Sequence, residues 1–360
     1  MEFCLQADGY EVIVAPGARR SLSRFLEVTA DISSVFILTD SVTRSLCLPL
    51  LLRSVPELSN AVVLEVAPGE RTKTLDSVRT LCVELNAAGA DRQSLLICLG
   101  GGMVGDLGGF TASVFLRGIR FVQLPTTLLS MVDASVGGKT GVDLDHHKNL
   151  IGTFSRPEAV FIDTDFLMSL PSRQIRSGLA EIIKHSIIGN VPPFVELPVA
   201  GDLSSVDWLP YIISSVSFKN EIVSTDFMDR HQRKLLNFGH TVGHALEARS
   251  NADGAYPLLH GEAVALGMEV ELALSARLAG FSVSAANRMI KYLRSVFGDL
   301  VPPVYDKALV PYLLSDKKNS GGIIRCVLLG PHGNPIIDAE VGLEDVRIAI
   351  ESLSAVSSLN

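Results

Sequence analysis

The chain is short of positive charge. Its 360 residues carry 31 Lys and Arg against 39 Asp and Glu, a net charge of −8, with a pI near 5.5. General nucleic-acid or membrane-surface binders need a basic field, and this composition excludes one. An anionic ligand would have to be met by Lys and Arg gathered locally. Cysteine is also scarce. Cys4, Cys47, Cys82, Cys98 and Cys326 are scattered, with no CxxC pair, which excludes a zinc ribbon and a thioredoxin motif. Cys82 and Cys98 sit in apolar runs and read as buried small residues. No apolar run is long enough to span a bilayer. No charged segment followed by an apolar one marks a signal peptide, so a cytoplasmic location is expected. Internal repeats and low-complexity stretches are absent. Apolar residues are plentiful: 47% of the chain is hydrophobic and 19% charged. That suffices for a large core and, at this length, about two domains.

The first half alternates strand and helix patterns. Val12–Val14, Ser34–Asp40, Ala61–Val66, Ser94–Leu99, Phe121–Leu124 and Ala159–Ile162 are short apolar, β-branched runs, and Leu75–Ala88 has helical spacing. Strands separated by helices predict an α/β layer with a mostly parallel sheet. Beyond about Asp165 the periodic segments are helical: Gln174–Ile188, Leu209–Asp226, Lys234–Arg249, Glu262–Ala279, Ala285–Val296 and Asp345–Leu353. Arg325–Leu329 is a further strand candidate. The expectation is an α/β domain over 1–165 and a mainly α-helical domain over 166–360.

Gly100-Gly101-Gly102-Met103-Val104-Gly105-Asp106 follows the run SLLICL and contains GxGxxG. Glycines after a strand admit a pyrophosphate close to the backbone, and a following helix N-terminus favours its charge. The plainer reading is a tight strand-to-helix turn. No acid ends a strand about 20 residues later, as a standard dinucleotide fold requires; Asp40 ends an earlier one. Gly137-Gly138-Lys139-Thr140 imitates the end of a P-loop, but Asp133 stands where that motif needs its first glycine, so the NTPase reading fails. Lys139 remains a candidate anion ligand.

At and just before Lys234–Arg249, Arg233, Asn237, His240 and His244 are spaced four, three and four apart, one polar stripe if the segment is a single helix. Gly239 and Gly243 permit close backbone approach on another face. His-x-x-x-His on a helix can place both imidazoles on one metal, so spacing alone offers His240 and His244 as joint ligands, with His260 at the next helix start as a possible third. Glu181 and Lys184 project together at i, i+3. That pair reads either as a surface ion pair or as part of a site.

Several segments, in order, carry a resemblance: PGERTK (Pro68–Lys73), GGGMVGD (Gly100–Asp106), LPTTLLSMVDASVGGKTGVD (Leu124–Asp143), KNLIG (Lys148–Gly152), GLAEIIKH (Gly178–His185), LNFGHTVGHALE (Leu236–Glu247), HGEAVALGM (His260–Met268) and DKK (Asp316–Lys318). Together they resemble the 3-dehydroquinate synthase family. The resemblance implies an NAD-binding α/β domain, a helical domain and an active site in the cleft between them. It implies a zinc or cobalt ion on Glu181, His240 and His260, with His244 beside the substrate instead of on the metal. NAD contacts fall on Asp40, on Gly69, Glu70, Arg71, Thr72 and Lys73, on Gly102, Met103, Val104, Gly105 and Asp106, on Thr126 and Thr127, on Lys139 and Lys148, and on Phe166, Leu167, Met168 and Ser169. Substrate contacts fall on Asp133, Lys139, Asn149, Lys184, Lys219, Arg233, Asn237, His240, His244, Lys317 and Lys318. Arg117 would reach the phosphate pocket of a second copy, which implies a homodimer. The chain departs from the pattern at Val42, where the family often has Asn, and at His146-His147, where a smaller residue commonly precedes the lysine.

The family substrate is 3-deoxy-D-arabino-heptulosonate 7-phosphate. Losing its phosphate by β-elimination requires an acidic neighbouring C–H, which a ketone provides and an alcohol does not. Transient oxidation by NAD, elimination, re-reduction and intramolecular aldol closure then give 3-dehydroquinate, a step of the shikimate route to chorismate and the aromatic amino acids. A metal ion would acidify the hydroxyl being oxidised, and two imidazoles with one carboxylate leave it open positions. The phosphate itself can serve as the base for elimination. Two rival readings are another sugar phosphate cyclase, of the 2-deoxy-scyllo-inosose synthase type, and a metal-dependent glycerol or alcohol dehydrogenase. Lys219, Asn237 and Asp316–Lys318 favour the dehydroquinate branch over the first. The phosphate-binding lysines, and Glu181 where dehydrogenases usually have Asp, argue against the second. A non-catalytic NAD-binding protein would not be expected to keep both the metal and the lysine positions.

Overall fold

In a computed structural model, residues 2–357 are described except 145–146, 199–200, 202, 254–256, 299, 301–302 and 315–322. Asp316, Lys317, Lys318 and His146 therefore lie outside the described residues. The chain divides into two compact units, Met1–Pro171 with Asp207–Met228, and Ser172–Val206 with Asp229–Asn360.

The first unit is an α/β layer. Its strands are β1 (Phe3–Gln6), β2 (Glu11–Ala15), β3 (Val35–Asp40), β4 (Val62–Val66), β5 (Leu95–Gly100), β6 (Arg120–Pro125) and β9 (Ala159–Asp163), in sheet order β1-β2-β9-β6-β5-β3-β4. All neighbours run parallel except β1, which pairs antiparallel with β2. β7 (Lys139–Leu144) and β8 (His147–Phe154) form a separate antiparallel hairpin that the apolar patterning does not reveal. Helices α1 (Ser21–Val28), α2 (Ser41–Leu46), α3 (Leu48–Ser54), α4 (Leu75–Ala87) and α5 (Gly102–Val114) connect the strands. All six residues of β5 are buried, as expected of a central parallel strand covered on both faces. Phe36, Leu38, Leu96, Cys98 and Phe121 meet Leu81, Leu85, Leu107 and Phe110 of α4 and α5. Cys98 is buried as its sequence context suggests, whereas Cys82 is only half-buried at the margin of this core.

The strand order accounts for the unusual sequence of parts. From β3 the chain steps outward to β4, and from β5 it steps the other way to β6. The crevice between the carboxyl ends of β3 and β5 is therefore a topological switch point, where open α/β sheets bind ligands. Asp40 ends β3 and the glycine loop follows β5, so the acid and the glycines flank one crevice although the acid comes first.

The second unit is mainly helical: α6 (Ser172–Gly189), α8 (His240–Asp253), α9 (His260–Leu278), α10 (Val283–Phe297), α11 (Val310–Leu314) and α12 (Leu343–Ser357), with one antiparallel pair, β10 (Ile323–Leu329) and β11 (Pro335–Gly342). The remaining helix, α7 (Leu209–Thr225), belongs to the first unit although it lies in the helical half of the sequence. It packs on β2 and on the wide helical turn Ser130–Ala134. There the Lys219 ammonium donates to both the backbone oxygen and Oδ1 of Asp133, at 2.6 Å each. A boundary drawn at 165 misses this return because periodicity reports helix type, not the partner a helix packs on.

The spacing of Arg233, Asn237, His240 and His244 predicts one continuous helix. The structure breaks it. A 3₁₀ segment, Gln232–Asn237, ends at Phe238 and Gly239, and α8 begins afresh at His240. Gly239 has φ +78°, a left-handed conformation that suits glycine. Its N–H donates to the buried Glu271 carboxylate at 2.7 Å instead of continuing a helix. Only His240 and His244 share a helix face.

Candidate active site

In the first unit the glycine loop ends at Gly101, the N-cap of α5, with no side chain capping the helix. The first N–H groups of α5 are thus available to an anion, reinforced by the helix dipole. Beside them Thr126 donates its N–H to Gly100 at 2.9 Å, while its buried Oγ1 has no hydrogen-bond partner. Across the crevice Asp40 caps α2: Oδ1 accepts from the N–H groups of Val42 and Thr43, both at 2.8 Å. The Val42 side chain is half-exposed, so that departure from the family pattern leaves the cap intact.

Lys73, which the resemblance sets beside NAD, is enclosed by acidic side chains. It is 2% exposed. Its ammonium donates to Asn149 Oδ1 at 2.7 Å and Asp106 Oδ2 at 3.1 Å, and pairs with Glu70 at 3.0 Å. Asp143 stands 3.7 Å away and accepts the Asn149 N–H at 2.8 Å. Burial pulls the Lys73 pKa down, but Asp106, Glu70 and Asp143 outweigh it and hold the pKa above its ordinary value. Burial pushes the Asp106 and Asp143 carboxyls up, against the opposing pull of Lys73. One ammonium thus ties the Gly69–Lys73 turn, the first turns of α5 and the β7–β8 hairpin together. Lys148 lies 3.7 Å from Glu70. Lys139 is exposed, as are Gly69 and Arg71, and Thr72 is half-buried. Thr127 is half-buried, its Oγ1 2.9 Å from Ser130. In Phe166–Ser169 the first two residues are buried and Met168 and Ser169 exposed. Arg117 lies in a left-handed turn with Leu116 and Gly118.

In the second unit three helices converge. The α6–α9 crossing is at Gly261, whose N–H donates to Ser177 Oγ at 3.1 Å. A Cβ at Gly261 would sit 1.9 Å from the Ser177 carbonyl oxygen, so only glycine allows this approach. Glu181 lies one turn further along α6 than Ser177, which brings its carboxylate to His260. The α8–α9 crossing is equally close: a Cβ at Gly267 would sit 1.9 Å from the Gly239 carbonyl oxygen. Bidentate Arg173, at 2.6 and 2.7 Å, and the Leu259 N–H, at 2.8 Å, hold Glu262 and fix the start of α9.

The outcome is a fully buried Glu181 whose Oε1 is 3.6 Å from His240 Nε2 and 3.6 Å from His260 Nε2. Lys184, also buried, ion-pairs with Oε2. The Glu181–Lys184 pair is therefore no surface ion pair. Both Glu181 oxygens are buried without a well-formed hydrogen bond. The far nitrogens of the two imidazoles are occupied: His240 Nδ1 is 3.1 Å from the Phe238 carbonyl, and His260 Nδ1 is 3.3 Å from Glu247 Oε2. Nδ1 is therefore the nitrogen that donates in each ring, and Nε2 is the one turned toward Glu181. Burial pushes the Glu181 carboxyl up, yet Lys184 and the two imidazoles hold it well below the usual carboxylate range. Burial and Lys184 push His240 well below its ordinary value. For His260 burial acts downward too, but Glu181 and Glu247 raise it to about 10. His244 completes a three-imidazole group with ligand atoms within 4.8 Å of one another, and it is the exposed member. Arg233 is buried and Asn237 half-buried on the segment before α8. Glu247, Glu262 and Glu271 were not singled out by sequence reasoning. Only Glu247, three residues after His244, carried a spacing signal.

The α/β unit thus carries an acid and a glycine loop at its switch point, and the helical unit a buried carboxylate–imidazole group. Two solved structures show the same fold. 2-deoxy-scyllo-inosose synthase, complexed with carbaglucose-6-phosphate, NAD+ and Co2+, is 24% identical with TM-score 0.86, covering 97% of this chain and 99% of that one. ValA (2-epi-5-epi-valiolone synthase) from Streptomyces hygroscopicus, with NAD+ and Zn2+ bound, is 25% identical with TM-score 0.79, covering 98% of each chain. Residues 63–177 match the family described as 3-dehydroquinate synthase N-terminal, and residues 178–319 its C-terminal counterpart. Among curated relatives, 3-dehydroquinate synthase of Parabacteroides distasonis is 38% identical over 95% of this chain and 96% of its own. That of Dictyoglomus thermophilum is 42% identical over 82% and 84%. The chain belongs to the 3-dehydroquinate synthase family.

Proposed function

We propose that this protein converts 3-deoxy-D-arabino-heptulosonate 7-phosphate to 3-dehydroquinate and phosphate, with NAD and a divalent metal, zinc or cobalt, as cofactors. The observation that carries the reading is Glu181: a fully buried carboxylate whose Oε2 meets Lys184 and whose Oε1 faces two Nε2 atoms at 3.6 Å. Lys184 offsets the burial of Oε2 and leaves Oε1 to the two imidazoles, and a carboxylate with two imidazoles is a catalytic zinc donor set. Glu181, His240 and His260 would hold the metal. The α5 N-terminus, the unpartnered Thr126 hydroxyl and Asp40 would hold NAD. When bound, the two groups supply reversible oxidation of one substrate hydroxyl and a Lewis acid beside it.

The remaining roles belong to the chain's own side chains. His244, exposed beside the buried pair, takes the hydroxyl proton. Lys184 balances the Glu181 charge and orients the substrate. Lys139, Asn149, Arg233, Asn237, Lys317 and Lys318 meet the phosphate and carboxylate, giving an acidic protein a locally basic site. Asp133 steers Lys219 toward the same substrate. Arg117 serves a second copy in a homodimer. No described helix is long and apolar enough to cross a membrane, in keeping with a cytoplasmic enzyme.

The 2-deoxy-scyllo-inosose synthase likeness reflects fold, whereas the relatives above 35% identity carry the dehydroquinate name. Purified protein with NAD and metal should release phosphate from the heptulosonate phosphate with no net NADH. Steady NADH accumulation would indicate the dehydrogenase reading. Phosphate release indifferent to chelation would overturn the metal assignment.

A further inference from the structure

His240 and His260 present Nε2 to the same Glu181 oxygen, but their far nitrogens are tied differently. His240 Nδ1 meets a neutral carbonyl, that of Phe238, at 3.1 Å. His260 Nδ1 meets a carboxylate, Glu247 Oε2, at 3.3 Å. Glu247 is 3% exposed, and a carboxylate is buried at a cost unless its partner repays it. It lies on α8, the helix that carries His240, two turns further along. Its partner is the first residue of α9. The geometry therefore crosses a helix pair whose backbones are fixed in contact: a Cβ at Gly243, between the two α8 positions, would sit 2.9 Å from the Ala263 carbonyl oxygen.

We propose that Glu247 is a positioning residue for the metal site. It accepts the Nδ1–H hydrogen bond of His260, leaves Nε2 as the nitrogen that exchanges its proton for the metal, and strengthens that nitrogen as a donor. This rests on the reading of His260 as a metal ligand. α8 thus supplies one ligand directly and the anchor of another. Outer carboxylates of this kind typically change metal affinity by about 10- to 100-fold. The backbone carbonyl on His240 fixes a tautomer but adds no charge, so the two ligands are unequal by design of the fold. His260 is the one whose strength a single substitution can tune.

The test uses the full chain, stripped of metal, with Zn2+ affinity measured by competition against a chromophoric chelator. The visible spectrum of the Co2+ form reports ligand geometry independently of turnover. Glu247→Ala should weaken Zn2+ binding by about 10- to 100-fold and shift the Co2+ bands, with the thermal midpoint of the metal-free protein showing that it folds. Glu247→Gln keeps an oxygen acceptor without the charge and should recover part of the loss. His260→Ala should bind least. Normal Zn2+ affinity and an unchanged Co2+ spectrum in Glu247→Ala, with His260→Ala defective, overturn the role of Glu247 and leave the ligand set standing. Normal affinity in His260→Ala overturns the ligand set and this proposal with it. Should Glu247→Ala fail to fold, Glu247→Gln decides alone: weakened binding supports the proposal and unchanged binding ends it.

Discussion

At the end of β5 the groups that would meet a pyrophosphate are main-chain N–H groups, supplied by the uncapped start of α5. In the helical unit the groups that would meet a cation are side chains from three helices: Glu181 on α6, His240 on α8 and His260 on α9. The first kind of site needs glycines in an uninterrupted run at one turn. The second needs glycines where separate helices cross, because three side chains meet only if the backbones come close. A backbone site tolerates exchange of most neighbouring side chains. A convergent side-chain site fails when any one arm is moved.

The sharpest way to break that comparison is to remove one arm. Glu181→Gln or His260→Ala should lose bound metal and lower phosphate release by about 10³-fold or more, as expected when a catalytic Lewis acid worth several kcal/mol is removed. His244→Ala should keep its metal and turn over slowly. Metal analysis with activity distinguishes the three; equal metal loss in His244→Ala would mean that the three-imidazole group is the ligand set.

Moving an arm without touching its side chain should act almost as strongly. Gly261→Ala places a methyl against the Ser177 carbonyl and forces α6 and α9 apart. Overpacking of this kind costs about 3 kcal/mol, and the separation of Glu181 from His260 should lower Zn2+ affinity as well. Chemical denaturation and chelator competition would check both. Intact metal affinity in a destabilised protein would show that the crossing serves the core and not the site.

The first unit has its own side-chain knot, and breaking it tests how far the contrast holds. Lys73→Met leaves Asp106 and Asp143 without their shared ammonium. Loss of one partner from a buried pair costs about 3 kcal/mol at the low end of the known range, and the half-exposure of the acids argues for that end. The thermal midpoint should fall while Zn2+ affinity stays unchanged. A Lys73 that mainly grips NAD would instead leave the midpoint alone and weaken only the nucleotide.

Local features were legible in the sequence and long-range ones were not. β3, β5, β6 and β9, α4 and most of the helices follow directly from runs of apolar residues. The glycine loop and Asp40 could be read as site candidates because each is a single stretch at a strand end. The hairpin β7–β8 was not visible, since its residues alternate weakly and pair only with each other. The joining of Glu181 to His260 was not visible either, because it depends on Gly261 meeting Ser177 across two helices. Spacing even misled at Arg233–His244: the interval suits one helix, but Gly239 and the buried Glu271 break it. Spacing offered His260 only as a third ligand beside His240 and His244; the family resemblance put it in place of His244, a reading that two Nε2 atoms facing one carboxylate support.

The finest separation concerns Asp40, which has two possible duties. Its Oδ1 caps α2 through two N–H bonds of 2.8 Å. Oδ2 is the atom that could accept a ribose hydroxyl. Asp40→Asn tells these apart, because Asn caps helices as well as Asp does. The amide oxygen can keep both N–H bonds, so stability should change by less than about 0.5 kcal/mol. The amide nitrogen then stands where Oδ2 was, uncharged and unable to accept the hydroxyl proton. A hydrogen bond to a charged group contributes about 1.5 kcal/mol or more, so NAD affinity should fall about tenfold. Calorimetric titration with NAD, alongside thermal denaturation, reads both quantities. A tenfold fall with an unchanged midpoint assigns Oδ2 to the nucleotide and makes Asp40 a side chain on which the backbone-built site depends. Unchanged affinity would leave Asp40 as the cap of α2 alone, and the nucleotide would then be held in that crevice almost wholly by the main chain.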